Sequence, residues 1–125
     1  KFFIKIDIEG DEYRVLDDLV NFSKKISGLV IEFHNSDMNL NYIYNFIKKF
    51  ELKLVHVHPN NAGPKGINGF PSIIELTFAK NPKEYGRIRE GRHPLDQPNI
   101  KTKKDIKSQS KTIDGEVIDN NKDEL

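Results

Sequence analysis

Four side chains within the first 34 residues have types and spacing suited to chemistry: Asp7, Glu9, Glu32 and His34. Asp7 and Glu9 close the apolar run Phe2–Ile8, and Glu32 and His34 belong to a second apolar run, Leu29–Phe33, that ends in His34-Asn35. Side chains alternate faces along a strand. Asp7 and Glu9 therefore share one face with Lys5 behind them, while Ile4, Ile6 and Ile8 point the other way. Glu32 and His34 likewise share a face opposite Leu29, Ile31 and Phe33. Paired strands lie about 4.8 Å apart, so adjacency of the two runs would gather all four groups in one crevice. A carboxylate-rich cleft with a single imidazole suits three tasks: a general base for a substrate hydroxyl, an anchor for a polyol or ammonium group, or a divalent-metal site. The plainer alternative is structural, with Asp7 and Asp11 capping the next helix and Glu32 pairing with Lys5. Glu9 fits that alternative least, because it precedes Gly10 at a tight strand-to-helix turn and has no capping role.

The elements that must position these groups follow from periodicity. Phe2–Ile8 reads as a strand. Asp11–Ile26 carries apolar residues at Val15, Leu16, Leu19, Val20 and Ile26, a helical stripe with acidic residues in its first turn, where the macrodipole favours them. Ser27-Gly28 is a helix stop. Leu29–Phe33 is the second strand. Asn39 caps a second helix striped by Leu40, Ile43, Tyr44, Ile47 and Phe50. Leu52–His58 is a third strand, residues 60–71 form a Gly/Pro/Asn-rich loop, and Ile73–Phe78 is a fourth strand. The order β-α-β-α-β-loop-β predicts an α/β fold with right-handed crossovers and a parallel sheet. No helix precedes the last strand, so it is expected to return antiparallel to its predecessor.

Bulk properties exclude several function classes. The 125 residues are 31% charged and 36% hydrophobic, with 20 Lys and Arg against 19 Asp and Glu, for a net charge of +1. That balance leaves no electrostatic footprint for nucleic acid or an anionic membrane. No apolar run is long enough to span a bilayer. The absence of cysteine removes disulfides, thiolate metal ligands and a thiol nucleophile.

The motif Phe3-Ile4-Lys5-Ile6-Asp7-Ile8-Glu9-Gly10-Asp11-Glu12, followed by Leu16 and by Val30-Ile31-Glu32-Phe33-His34, resembles the FkbM-type methyltransferases. Three later pieces are similar to one branch of that family: His56-Val57-His58-Pro59-Asn60-Asn61, the strand Pro71…Glu75-Leu76-Thr77-Phe78, and His93-Pro94-Leu95-Asp96-Gln97-Pro98-Asn99. The resemblance covers roughly residues 2–100. It implies a Rossmann-like methyltransferase that uses S-adenosylmethionine, often on hydroxyl groups of sugars or other metabolites. By that analogy the four strands are the last four of a seven-stranded sheet of order 3-2-1-4-5-7-6, and the chain is the C-terminal half of a larger enzyme. Asp7 would bind cofactor near the reactive methyl, and Glu9, Glu32 and His34 would orient or deprotonate the acceptor. The family's glycine-rich loop and its ribose-binding acidic residue have no counterpart in these residues, so the cofactor site is half present.

The same strand order ranks the remaining candidates. His58 ends a strand two spacings from Glu32, about 9–10 Å away. His58, Asn60 and Asn61 would bind substrate only if the loop over 59–70 folds back across the crevice. His56, deeper in its strand, reads as structural. A metal held by Glu9, Glu32, His34 and His58 needs the same fold-back, and no metal is assigned. His93 and Asp96 are expected to pack on the sheet edge.

Residues 101–125 read as a flexible charged tail, basic over 101–111 and acidic at the end. The final Lys122-Asp123-Glu124-Leu125 matches an endoplasmic-reticulum retention address. No entry signal accompanies it, so it is read as coincidence and the cytoplasm is the expected compartment. A second class of function remains open, an interaction module or inactive remnant that completes a sheet with a partner chain. The strand over residues 2–8 would be an uncovered apolar edge, prone to self-association.

Overall fold

The computed structural model describes residues 1–83, 88–90, 99–103, 110–113 and 116–119. Its centre is a four-stranded mixed sheet formed by β1 (Phe2–Ile6), β2 (Ile26–His34), β3 (Lys53–Pro59) and β4 (Ile73–Ala79), in the order β1-β2-β4-β3. Strands β1 and β2 pair in parallel, and β4 runs antiparallel to both β2 and β3. The fourth strand thus returns antiparallel to its predecessor, as the missing crossover helix requires, and inserts between β2 and β3.

Both helices, α1 (Leu16–Phe22) and α2 (Leu40–Lys49), contribute to one core. Leu16 and Leu19 from α1 and Ile43 and Phe46 from α2 join Leu29, Ile31 and Phe33 of β2 and Ile74, Leu76 and Phe78 of β4. These β2 and β4 residues alternate in sequence, so one face of the sheet is apolar. Phe46 is the hub, in ring contact with Phe33, Phe50 and Phe78 at centroid separations of 6.5, 4.8 and 5.5 Å. The opposite face carries Glu32 and His34, with Glu75 and His58 in register beside Glu32.

Several boundaries differ from the periodicity. The helix expected over 11–26 is a broken one: a 3-10 turn Glu12–Val15, the short α1, and a second 3-10 turn Ser23–Lys25. Ile26, Ser27 and Gly28 belong to β2, not to a helix and its stop. Gly28 makes a close approach there: a Cβ on it would lie 2.6 Å from the ring of exposed Phe3, which would have to shift. Asn39 occupies the N-cap position of α2 but makes no side-chain cap; its amide donates instead to the Asn35 carbonyl at 2.9 Å. Strand β1 ends at Ile6, two residues short of the expected Ile8.

Within the stretch read as a solvated tail, β6 (Ser110–Ile113) and β7 (Glu116–Asp119) pair antiparallel, and β5 (Ile88–Glu90) pairs with β6 to make a second sheet. Residues 101–103 are also described, with the Lys103 carbonyl held by Asn61; the remainder of the tail, the terminal tetrapeptide, His93 and Asp96 lie outside the described residues. No helix of the described residues is long and apolar enough to cross a membrane.

Truncating a fully buried aromatic leaves a cavity as well as losing burial, at a typical cost of about 3–5 kcal/mol. Phe46→Ala is expected to lose stability in that range by urea titration. Phe22→Ala, whose side chain is 56% exposed, should stay within about 0.5–1 kcal/mol of the parent.

Candidate functional site

The site forms where the carboxyl ends of β1 and β2 meet. Beyond Ile6 the chain leaves the sheet and turns through Glu9 (φ +55°) and Gly10 (φ +108°), two successive left-handed residues. Glycine adopts that conformation freely, whereas Glu9 pays on the order of 1 kcal/mol for it. The turn swings the chain back so that Glu12, at the start of the 3-10 turn, points inward and becomes fully buried.

A buried carboxylate is costly unless donors surround it. Glu12 Oε1 accepts from the Ile8 N–H at 3.3 Å, the Gly10 N–H at 3.1 Å and His34 Nδ1 at 2.8 Å. Burial pushes the Glu12 carboxyl up, but the Gly10 and Glu12 N–H groups and His34 outweigh that and hold it below the usual carboxylate range. The group is therefore ionised, and His34 Nδ1 carries the proton it donates. The other oxygen, Glu12 Oε2, is buried and has no hydrogen-bond partner among the described residues.

With Nδ1 committed, Nε2 of His34 faces the crevice. Glu9 Oε2 and Glu32 Oε1 each lie 3.5 Å from it, and Asp7 Oδ1 lies at 4.0 Å. Burial acts to lower the His34 pKa, but the hydrogen bond and charge of Glu12, with Glu32 and Glu9, raise it above the ordinary histidine value. The Tyr13 hydroxyl donates to the His34 carbonyl at 2.7 Å and fixes the backbone beneath the ring. Burial and the Glu12 charge push the Tyr13 phenol up to about 12, so it remains a donor.

All four groups singled out in the sequence, Asp7, Glu9, Glu32 and His34, thus come together. Asp7 stands one residue past the end of β1 and Glu9 sits in the left-handed turn itself, so neither lies within the paired strand. The loop after β3 folds back as far as Asn60, whose amide donates to Glu32 Oε2 at 3.1 Å while its carbonyl oxygen accepts from the Ala62 N–H at 2.8 Å. Asn61 is placed differently. Its side chain is fully buried, donates to the carbonyls of Ile100 and Lys103, and accepts from the Ile100 N–H, so it latches main chain and has no atom left for a substrate. His58 stays on β3 with Nε2 3.1 Å from Asn99 Oδ1, and His56 stacks on it at 6.3 Å.

In the sequence Glu12 stands out only as the last residue of the opening motif and as an acid in a helical first turn. The signal that could have found it is Gly10 two residues earlier, a turn that permits the following acid to face inward. Although no metal was expected, Asp7, Glu32 and His34 present ligand atoms within 4.8 Å of one another, a set able to hold a metal ion, and His58 is not part of it.

The pair titrates in opposite senses. The Glu12 contribution is present above its unfolded value of 4.5 and is lost as pH falls through its lowered folded value. The His34 contribution is full below 6.5 and is lost as pH rises through its raised folded value. The stability advantage of the native protein over Glu12→Gln should therefore be larger at pH 5.5 than at pH 9, in thermal melts with chelator present. An equal advantage at both pH values would mean that the pair contributes only by packing.

No family model matches the chain, and no curated protein or solved structure is significantly similar to it, so the geometry stands without a relative beside it.

Proposed function

We infer that these residues form the acceptor side of an S-adenosylmethionine-dependent O-methyltransferase acting on a sugar or another hydroxylated metabolite. The observation that carries the reading is the convergence of Asp7, Glu9 and Glu32 on His34 Nε2 at the carboxyl ends of adjacent strands. In open α/β sheets that edge is where ligands bind. The resemblance to the FkbM-type family adds support, because the order β1-β2-β4-β3 with β4 reversed is the order it implies for the last four strands of such a sheet.

The cofactor, when bound, supplies an electrophilic methyl group. Of the residues present, Asp7 is the one that fits it: a half-exposed carboxylate at the β1 rim, with an oxygen available for a polar group. The rest of the work falls to the chain's own side chains. Glu32, held by Asn60, accepts a hydrogen bond from one acceptor hydroxyl, and exposed Glu9 accepts from a second. His34 Nε2, in its deprotonated form, takes the proton of the reacting hydroxyl, and Glu12 stabilises the imidazolium that results. Positioning supplies most of the acceleration in an in-line displacement, and the base typically adds about 100-fold or more.

In the complete methyltransferase that carries these residues, His34→Ala should lower turnover about 100-fold, and Glu9→Ala should also reduce it, with S-adenosylmethionine affinity nearly unchanged. Because the His34 pKa is raised, kcat should climb with pH to a plateau above the ordinary histidine range. A complete protein that binds no S-adenosylmethionine, or unchanged turnover in both variants, removes the reading.

A second reading, an interaction module that completes a sheet with a partner chain, is favoured by one observation. Among the described residues β1 pairs only with β2, and its Phe2 and Phe3 are 66% and 68% exposed. An apolar edge strand of this kind pairs with other strands. Phe3→Glu should then shift sedimentation toward monomer at high concentration; a parent protein that is already monomeric there would contradict the module.

A further inference from the structure

The geometry points to a divalent-cation site built from His34 Nε2, Asp7 Oδ1 and Glu32 Oε1, with Glu9 as an outer or fourth ligand and Glu12 as the buried carboxylate that orients the imidazole. This goes beyond the methyltransferase reading, since cation binding is a property of these side chains whether or not methyl transfer occurs there.

Distance is the first support. Metal–ligand bonds of about 2.1 Å place neighbouring ligand atoms roughly 3.0 Å apart at right angles and about 3.4 Å apart at the tetrahedral angle. The Nε2–carboxylate separations here are 3.5, 3.5 and 4.0 Å, too long for good hydrogen bonds and a few tenths of an ångström beyond a coordination shell. Ligand atoms of Asp7, Glu32 and His34 all lie within 4.8 Å of one another, and Glu9 Oε2 stands beside them, 3.5 Å from Nε2.

The second support lies behind the cluster. A metal-ligating histidine characteristically gives its other ring N–H to a carboxylate, which fixes the tautomer and raises ligand basicity. Glu12 does this at 2.8 Å, from a position with no solvent exposure. Its Oε2 is buried without a hydrogen-bond partner among the described residues, leaving negative charge under-compensated beside the imidazole. Among the described residues no Lys or Arg pairs with Asp7, Glu9, Glu12 or Glu32, so His34 is the cationic partner all four share. Four carboxylates about one imidazole are an anionic pocket, and a dication offsets more of that charge than the single proton His34 can hold.

The donor set indicates the ion. One imidazole with carboxylate oxygens suits Mn²⁺ or Zn²⁺ better than Ca²⁺, which takes oxygen alone, or copper(I), which prefers sulfur. Half-exposed Asp7 and exposed Glu9 form the solvent side of the site, so remaining coordination positions take water or the oxygen atoms of a hydroxylated ligand.

The test is Mn²⁺ titration of the full chain, followed by loss of the free-ion electron paramagnetic resonance signal. One saturable site per chain is expected, displaced by Zn²⁺, with the His34 ring-proton resonances broadened first. Asp7→Asn, a change at a half-exposed position that leaves the core untouched, should weaken binding at least tenfold. Glu12→Gln should weaken it about 10–100-fold without removing any direct ligand, and exposed Asp17→Asn and Asp18→Asn should have no effect. If Glu12→Gln fails to fold, Asp7→Asn still decides. Absence of saturation below millimolar Mn²⁺, or equal affinity in Asp7→Asn and the parent, overturns the site and leaves the methyltransferase reading to its own cofactor-binding test.

Discussion

The 2.8 Å contact between the Glu12 carboxylate and His34 Nδ1 is the constraint from which the site follows. An ionised carboxylate with no solvent exposure is tolerable only where donors replace its lost water. The Ile8 and Gly10 amides and the imidazole supply them, and each has a structural consequence. The two amides can point inward only if the chain reverses direction at residues 9 and 10, which is why Glu9 accepts a left-handed conformation. The imidazole can donate through Nδ1 only if Nε2 faces away, toward the rim where Asp7, Glu9 and Glu32 stand. One buried charge thus sets the turn, the ring orientation and the placement of the exposed acids.

The sheet provides the rigid frame for that arrangement. Both helices contribute to the core against the face made by Leu29, Ile31, Phe33, Ile74, Leu76 and Phe78, so the alternate residues of β2 and β4 are left for polar work. Insertion of β4 between β2 and β3 places Ile73 beside His34 and Glu75 beside Glu32. It also brings the start of the loop after β3 over the crevice. Asn60 uses that proximity to hold Glu32, while its neighbour Asn61 ties the loop to residues 100 and 103. Adjacent asparagines therefore do different jobs: one steadies the acidic rim and the other locks the loop that carries it.

Much of this was legible in the sequence because strand alternation is a strict rule. Glu32 and His34 sit on one face in both the pattern and the structure, and each of the four strands was identifiable from its apolar run. The helical stripe over 11–26 misled because periodicity does not register backbone satisfaction. Glu12 and Ser23 are both buried polar residues within it, and each opens a 3-10 turn that interrupts the helix. Ile26 fits a helical stripe and a strand equally well, and pairing with Phe2 decides for the strand. Asn61 misled for another reason: its partners lie 39 and 42 residues away, a separation that no local pattern encodes.

Base and cation ligand are the two uses proposed for one nitrogen, and the surroundings of His34 determine how they would relate. The carboxylates that raise its proton affinity are the same groups that would ligate a cation, so proton and metal compete directly for Nε2. Glu12 favours both, because a hydrogen bond at Nδ1 makes Nε2 more basic and a better donor to a metal. A lone histidine on a strand end would titrate near neutrality and hold neither firmly. The buried carboxylate raises its affinity for a proton, and at the proposed site a dication would compete with that proton according to pH. Either occupant leaves an acidic rim of Asp7, Glu9 and Glu32 facing the solvent side. A hydroxylated ligand would suit such a rim, since each hydroxyl can donate to a carboxylate while its oxygen meets the positive centre behind it.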